Sequence, residues 1–315
     1  MLTKSTSVAV GAFKLVGRSR AGEATCFTIP ELKWMFDCGA RIHGWTPKIL
    51  FLTHTHSDHV HYLTHIKNEE KPPLVYLPQE AESYVKSYLI AHQEMTDCML
   101  TEKKSQEGGE TGSVDCVLRP TMPEEEIRFR QAGSEYVVRT LKMTHRIPCL
   151  GFSIFKMKSK LKEEYVGMPS REIGKLKKEG VEVATAFEEP LICFLGDTTA
   201  TVFSDYPELL SQQATIVVEC SFFEEEDLAR AEKTKHMHWN HLKPYVERHP
   251  GTMFVLTHFS LKYSSLWLRQ FFVEQQKLYR NIHPMLIEEE IIEEWEKSEP
   301  SETNFPKCGC KLCAN

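Results

Sequence analysis

The segment Thr53-His54-Thr55-His56-Ser57-Asp58-His59 sets three imidazoles and a carboxylate within six positions. Neutral imidazole and carboxylate oxygen are ligands for zinc and neighbouring divalent ions. The segment follows Ile49-Leu50-Phe51-Leu52, an apolar run that reads as a buried strand. Four donors exceed what one tetrahedral ion takes from a single loop once outside ligands are added. The spacing therefore points to two adjacent metals sharing a bridging group. A histidine-rich surface loop without metal is the plainer alternative, and the strand that delivers the loop argues against it. Two close divalent ions bring a bridging water toward neutral pKa and stabilise charge on a phosphoryl oxygen, which is hydrolytic chemistry.

Such a site needs ligands from several rigid elements, and four further apolar runs repeat the pattern of the first. Tyr136 to Thr144 ends at His145, and Leu191 to Leu195 ends at Gly196-Asp197. Thr215 to Val218 ends at Glu219, and Met253 to Thr257 ends at His258. Five strands that each end in a ligand or an acid–base group fit a metal site at the carboxyl edge of packed sheets.

The 315 residues suffice for one large domain or two small ones, with a real core. A net charge of −6, from 38 basic and 44 acidic residues, excludes an overall basic nucleic-acid footprint but leaves room for a local patch. No apolar run approaches the roughly 18 residues that span a bilayer, so no membrane partner is expected. Ten cysteines without a secretory signal read as reduced thiols in an intracellular compartment, cytoplasmic or nuclear, with an organelle also open. Cys308, Cys310 and Cys313 cluster in a tail and lack a second ligand group nearby.

In chain order, residues 8–40 read as two or three strands, and a helix begins around the histidine loop. Glu80 to about Glu94 has helical spacing, and 101–114 is a long polar loop. Between His145 and Asp197 lies a basic, helix-prone segment, with Lys156, Lys158, Lys160 and Lys162 followed by Arg171, Lys175, Lys177 and Lys178. Residues 285–297 read as an acidic amphipathic helix. The expected organisation is a catalytic domain over 1–288, then an acidic helix and cysteine-containing tail over 289–315.

Several motifs in order now resemble a family. Pro47-Lys48-Ile49 to His59 resembles the signature loop of the metallo-β-lactamase superfamily. His145-Arg146-Ile147-Pro148-Cys149-Leu150-Gly151-Phe152, Gly196-Asp197-Thr198, Val218-Glu219-Cys220-Ser221-Phe222 and Leu256-Thr257-His258-Phe259-Ser260 resemble the further motifs of its ribonuclease Z branch, the tRNA 3′-processing endonucleases. His236 lies where that branch places a catalytic histidine. The sequence departs from the family at Ala40, where an acid is usual, and at Tyr62, where glycine is usual. Residues 156–186 look like a shortened form of the family's tRNA-gripping arm.

The resemblance implies an αββα four-layer sandwich with two zinc ions, or manganese or another divalent metal, between the sheets. His54, His56 and His145 would hold one ion, Asp58, His59 and His258 the other, with Asp197 bridging. Asp58 would orient or deprotonate the nucleophile. His236, oriented by Glu219, would protonate the leaving 3′-oxygen, with His238 as its nearest competitor. Lys175, Lys177 and Lys178 would contact a precursor tRNA, and a homodimer is usual in the family. Two other functions compete with tRNA 3′ cleavage. One is hydrolysis of a small cyclic phosphodiester, lactone or thioester on the same fold. The other is a non-catalytic RNA- or zinc-binding scaffold, against which the complete ligand set argues.

Overall fold

Runs rich in valine, isoleucine and phenylalanine form two sheets in the computed structural model, which describes residues 2–97 and 115–298. The 101–114 loop and Cys308, Cys310 and Cys313 lie outside the described residues. The first sheet takes β1 (Thr6–Val10), β2 (Phe13–Ala21), β3 (Ala24–Ile29), β4 (Trp34–Phe36), β5 (Ile49–Phe51), β6 (Leu74–Pro78) and β7 (Val117–Thr121), in that spatial order. The second takes β8 (Glu126–Gln131), β9 (Ser134–Lys142), β10 (Leu150–Leu161), β11 (Ala184–Phe194), β12 (Thr215–Glu219) and β13 (Met253–Thr257). A two-residue β14 (Phe259–Ser260) joins β2, and β15 (Ile282–Pro284) closes the edge beside β13. Each sheet begins as an antiparallel meander and continues as parallel strands. Residues 8–40 thus lie in four strands rather than two or three. Gly11 (φ 57°) and Gly22 (φ 75°) supply left-handed backbone at the two tight turns.

The sheets pack face to face through large apolar side chains. Phe36 stacks on Phe194 at 4.7 Å between ring centroids, and Phe51 meets Phe152 at 5.1 Å. Trp34, Phe27 and Tyr136 complete this inner layer, all buried. Single-turn α1 (Ser57–Val60) and longer α2 (Glu82–Asp97) follow β5 and β6, and α2 packs Val85 into a second apolar cluster on the outer face of the first sheet. Among the helices that follow are α3 (Ser170–Lys178), α4 (Val202–Asp205), α5 (Leu209–Gln212), α6 (Leu228–Thr234), α7 (Trp239–Arg248), α8 (Ser265–Leu278) and α9 (Glu288–Ser298). Leu242 and Val246 of α7 and Leu268 and Phe272 of α8 cover the outer face of the second sheet. The result is the expected αββα layering. Strands buried on both faces explain why β5, β12 and β13 read as continuous apolar runs.

The segment 156–186 departs from the helix-prone expectation. Lys156, Lys158 and Lys160 sit on β10, because lysine at every second position has the period of a strand. β9 pairs with β10 as far as Lys156, whereas β11 follows it to Leu161, so β10 and β11 run on together as a two-stranded extension. It carries α3 about 35 Å along the strand from Leu150, at about 3.3 Å per residue. The acidic helix begins at Glu288, three residues later than the apolar pattern suggests. Met285, Leu286 and Ile287 are buried before it, and Glu288, Glu289 and Glu290 form its favourable acidic first turn.

Candidate metal centre

The parallel strands of both sheets deliver their carboxyl ends to one place, the usual site edge in open parallel sheets. β4 ends before Asp37, β5 leads into Thr53–His59, and the β9–β10 turn holds His145. β11 precedes Asp197, β12 ends in Glu219, and His258 follows β13. Glycines allow close approach here. A Cβ on Gly39 would lie 1.7 Å from the Asp58 carbonyl oxygen, and one on Gly196 would lie 2.7 Å from Cys149 Sγ. Asp37 (φ 53°) and His258 (φ 59°) both take left-handed backbone, a conformation uncommon outside glycine and concentrated at functional sites.

The histidines and aspartates gather into two adjoining sets. In the first, His54 Nε2 and His145 Nε2 lie 3.0 and 3.1 Å from His56 Nδ1. Asp197 Oδ2 faces this set, 3.5 Å from His54 Nε2 and 3.9 Å from His145 Nε2. In the second, His258 Nε2 lies 3.3 Å from both His59 Nε2 and Asp58 Oδ2. Asp197 Oδ1 faces this one, 3.5 Å from His258 Nε2 and 3.6 Å from His59 Nε2. The two oxygens of one buried carboxylate therefore face two donor sets.

Outer contacts fix which ring nitrogen is free. His59 Nδ1 donates to Asp37 Oδ2 at 2.8 Å, and His145 Nδ1 donates to the Lys235 carbonyl at 3.2 Å. Thr53 Oγ1 donates to Asp37 and accepts from His54 Nδ1 at 3.0 Å. Ser221 Oγ donates to Glu219 Oε2 at 2.6 Å and accepts from His258 Nδ1 at 3.1 Å. In the neutral rings the Nε2 lone pairs of all four thus point inward, with His56 Nδ1 and the carboxylates of Asp58 and Asp197. Lone pairs crowded this way call for a cation, and N/O donors of this kind suit zinc, manganese and their neighbours.

The electrostatics agree. Burial, then the neighbouring imidazoles, holds His54 well below its ordinary pKa, and burial and His145 push His56 down to about 4. Burial also lowers His145. All three stay neutral and ready to coordinate at neutral pH. Burial would lower His59 too, but Asp197 and Asp37 outweigh it and raise the ring to about 9. The second set thus draws positive charge toward His59 Nε2, which a divalent cation can supply in place of a proton. Burial works against ionisation of Asp58 and Asp197. For Asp58 the His258 hydrogen bond and the His59 charge overcome it, and for Asp197 the charges of His258 and His59 do, so both lie well below the usual carboxylate range.

Beside the cluster, His236 Nδ1 donates to Glu219 Oε1 at 2.8 Å, and Glu219 also accepts from Thr198 N at 2.9 Å. The His236 ring stacks on His258 at 5.3 Å and is 13 % exposed. Burial lowers its pKa, but the charge and hydrogen bond of Glu219 outweigh that and raise it to about 9. His238 faces elsewhere. It accepts from Asn240 N as the N-cap of α7 and donates to the Glu224 carbonyl. The structure thus gathers His54, His56, Asp58, His59, His145, Asp197, Glu219, His236 and His258. It leaves Lys175, Lys177 and Lys178 exposed on α3, away from the cluster.

Sequence reasoning missed the supports Asp37, Thr53 and Ser221. Asp37 was visible as an acid between an apolar strand and a glycine, but nothing in the sequence pairs it with His59. Lys262 marks a different acidic group, where its ammonium lies 2.7–2.8 Å from Glu224, Glu226 and Asp227 and offsets part of their charge.

The chain has the metallo-β-lactamase fold. It matches the metallo-β-lactamase fold protein YhfI of Bacillus subtilis with a TM-score of 0.50 and 14% identity, covering 86% of this chain and 95% of that one. Within that fold its sequence homologues are tRNase Z proteins. It is 27% identical over 271 residues to tRNase Z TRZ1 of Arabidopsis thaliana, spanning 84% of this chain and 91% of the relative. It is 27% identical over 287 residues to the chloroplastic tRNase Z TRZ2 of the same plant, spanning 88% and 76%. No family model matches the chain. Among the described residues no helix is long and apolar enough to cross a membrane.

Proposed function

We propose that this chain is a dinuclear metallohydrolase of the ribonuclease Z type that removes the 3′ trailer of precursor tRNA. The observation that carries it is Asp197, whose two carboxylate oxygens face two separate donor sets while Glu219 and His236 lie alongside. His54, His56 and His145 would hold one ion, Asp58, His59 and His258 the other, and Asp197 would bridge them. Two divalent ions, zinc or manganese, would supply Lewis acidity toward a phosphoryl oxygen and a nucleophile available at neutral pH.

The chain's own groups supply the rest. Gly22 N–H donates to Asp58 Oδ2 at 2.8 Å, which fixes that carboxylate where it can orient the attacking water. The water oxygen gives up a proton to solvent and bonds to phosphorus as the bond from phosphorus to the 3′-oxygen breaks. His236 gives a proton to that oxygen from its second ring nitrogen, since Glu219 holds Nδ1–H. The products are an RNA with a 3′-hydroxyl and a trailer with a 5′-phosphate. α3, at the end of the β10–β11 extension, offers Lys175, Lys177 and Lys178 to the body of the tRNA.

A homodimer and an intracellular compartment belong to the same proposal. Support for the latter comes from Cys26, Cys38, Cys116, Cys149, Cys193 and Cys220, all buried free thiols. Residues 1–288 would form the catalytic domain, with 289–315 as an appendage.

Titration of metal-free protein with Zn2+ or Mn2+ tests the hydrolytic site, read by turnover of bis(p-nitrophenyl) phosphate and by bound metal. Activity should saturate at two ions per chain, and Asp197→Ala should lose both activity and ordered uptake. Saturation at one ion, or an active Asp197→Ala, would overturn the dinuclear assignment.

A further inference from the structure

A groove of about 710 Å³ opens from His236 along α7. Thr199 and Thr201 line one wall, with their hydroxyls 2.8 Å apart, and Thr201 passes the chain of hydroxyls to Thr144 at 3.1 Å. The other wall is α7. Lys235 stands at its mouth, held in left-handed backbone (φ 60°) with its carbonyl taken by His145. Arg248 closes the far end. Its guanidinium lies 5.0 Å above the Tyr245 ring and its Nε–H donates to the Pro244 carbonyl, which pre-orients the remaining N–H groups. One carboxylate, Glu232, also lines the groove.

This lining resembles a site for a sugar–phosphate strand. Hydroxyls can match 2′-hydroxyls and phosphate oxygens, and two cations, Lys235 and Arg248, line the groove before and at the end of α7. A helix of ten residues spans about 15 Å, room for several nucleotides at about 3.4 Å rise each. The position of His236 gives the groove a direction. In an in-line displacement the proton donor lies on the side of the leaving oxygen, opposite the attacking water. The leaving oxygen is the 3′-oxygen of the upstream nucleotide.

We infer that the α7 groove binds the nucleotides upstream of the scissile bond, the strand that departs with the new 3′-hydroxyl, through Lys235, Arg248 and the Thr199–Thr201 hydroxyls. This rests on the RNA-cleaving function proposed above. The trailer then leaves by another route, and the groove reads the end of the product rather than the piece discarded.

Arg248→Glu and the milder Arg248→Gln test it, with kinetics on RNA substrates trimmed separately on the upstream and trailer sides. KM for the full RNA should rise about tenfold in Arg248→Glu and the salt slope should fall by about one. Turnover of bis(p-nitrophenyl) phosphate should be unchanged, which also shows both variants folded. The penalty should disappear when the upstream side is trimmed to one nucleotide and persist when the trailer is trimmed. A penalty that follows trailer length, or an unchanged KM in both variants, would overturn the assignment. Wild-type protein that hydrolyses the small phosphodiester but no RNA would overturn the underlying function, and the groove assignment with it.

Discussion

Gly39→Ala should empty the metal centre while leaving most of the fold in place. The added Cβ would sit 1.7 Å from the Asp58 carbonyl oxygen, 2.6 Å from the Asp58 carbonyl carbon and 2.8 Å from Thr25 N, whereas ordinary contact begins near 3.4 Å. All three neighbours are backbone, so no side chain can swing aside. Gly39 itself is pinned by its N–H to the Thr25 carbonyl at 2.8 Å, and Cys38 N–H to the His59 carbonyl at 2.7 Å ties the two loops together. The loop carrying Asp58 and His59 must therefore move by roughly 1.5 Å, against the roughly 0.5 Å that a catalytic constellation tolerates and the roughly 0.2 Å of a coordination bond. Overpacking of this kind costs about 1–3 kcal/mol of stability. The loss of binding should exceed the roughly 100-fold that follows from removing an outer support. Gly44→Ala is the control, since nothing lies within 4 Å of its Cβ. Bound metal after dialysis, thermal melting with and without metal, and bis(p-nitrophenyl) phosphate turnover read the outcome. Gly39→Ala should melt slightly lower and lose most of its metal-dependent rise in melting temperature. Wild-type metal content and turnover in Gly39→Ala would refute the close-approach reasoning.

Other perturbations separate the roles of the surrounding groups. Asp37→Asn can place an N–H₂ opposite His59 Nδ1–H, which presses that ring toward the tautomer with its proton on the ligating Nε2. Metal affinity should fall about 10–100-fold with little change in the fold, measured by competition with a chelator. His236→Ala should slow RNA cleavage by about 10²–10⁴-fold. It should slow bis(p-nitrophenyl) phosphate far less, since p-nitrophenolate departs without a proton, and equal losses on both substrates would count against a general acid. Lys175→Glu, Lys177→Glu and Lys178→Glu together should weaken tRNA binding and flatten its salt dependence, with small-substrate turnover as the unaffected control. His238→Ala should cost about 1 kcal/mol of stability through the lost N-cap of α7 while the chemistry persists, as chemical denaturation and kinetics would record.

The clustered histidines and carboxylates were legible because metal chemistry restricts residue type and because each group follows an apolar strand. His54 to His59 could be read as one loop, and His145, Asp197, Glu219 and His258 as strand-end groups. The layered fold followed from the same runs and from the resemblance they carry. Positional detail was less accessible. Asp37 meets His59 across 22 residues and Ser221 meets His258 across 37, and no local pattern announces such long-range hydrogen bonds. His236 and His238 stand two residues apart in a basic stretch, and only the backbone around α7 sends one toward Glu219 and the other to cap a helix. The lysines of β10 misled through their charge: a basic run suggests a solvated helix, while its period of two specifies a strand. The α7 groove was invisible for another reason, since its walls come from the turns around Thr144 and Thr199 and from a helix some forty residues further on.

Cleavage of a 3′-extended precursor tRNA by metal-loaded protein, with both new ends mapped, tests the central claim most directly. The expected result is a single cut at the 3′ end of the acceptor stem, leaving a 3′-hydroxyl on the tRNA and a 5′-phosphate on the trailer, abolished in Asp197→Ala. An intact precursor, under conditions where the same preparation hydrolyses bis(p-nitrophenyl) phosphate, would contradict it and direct this site to a smaller substrate.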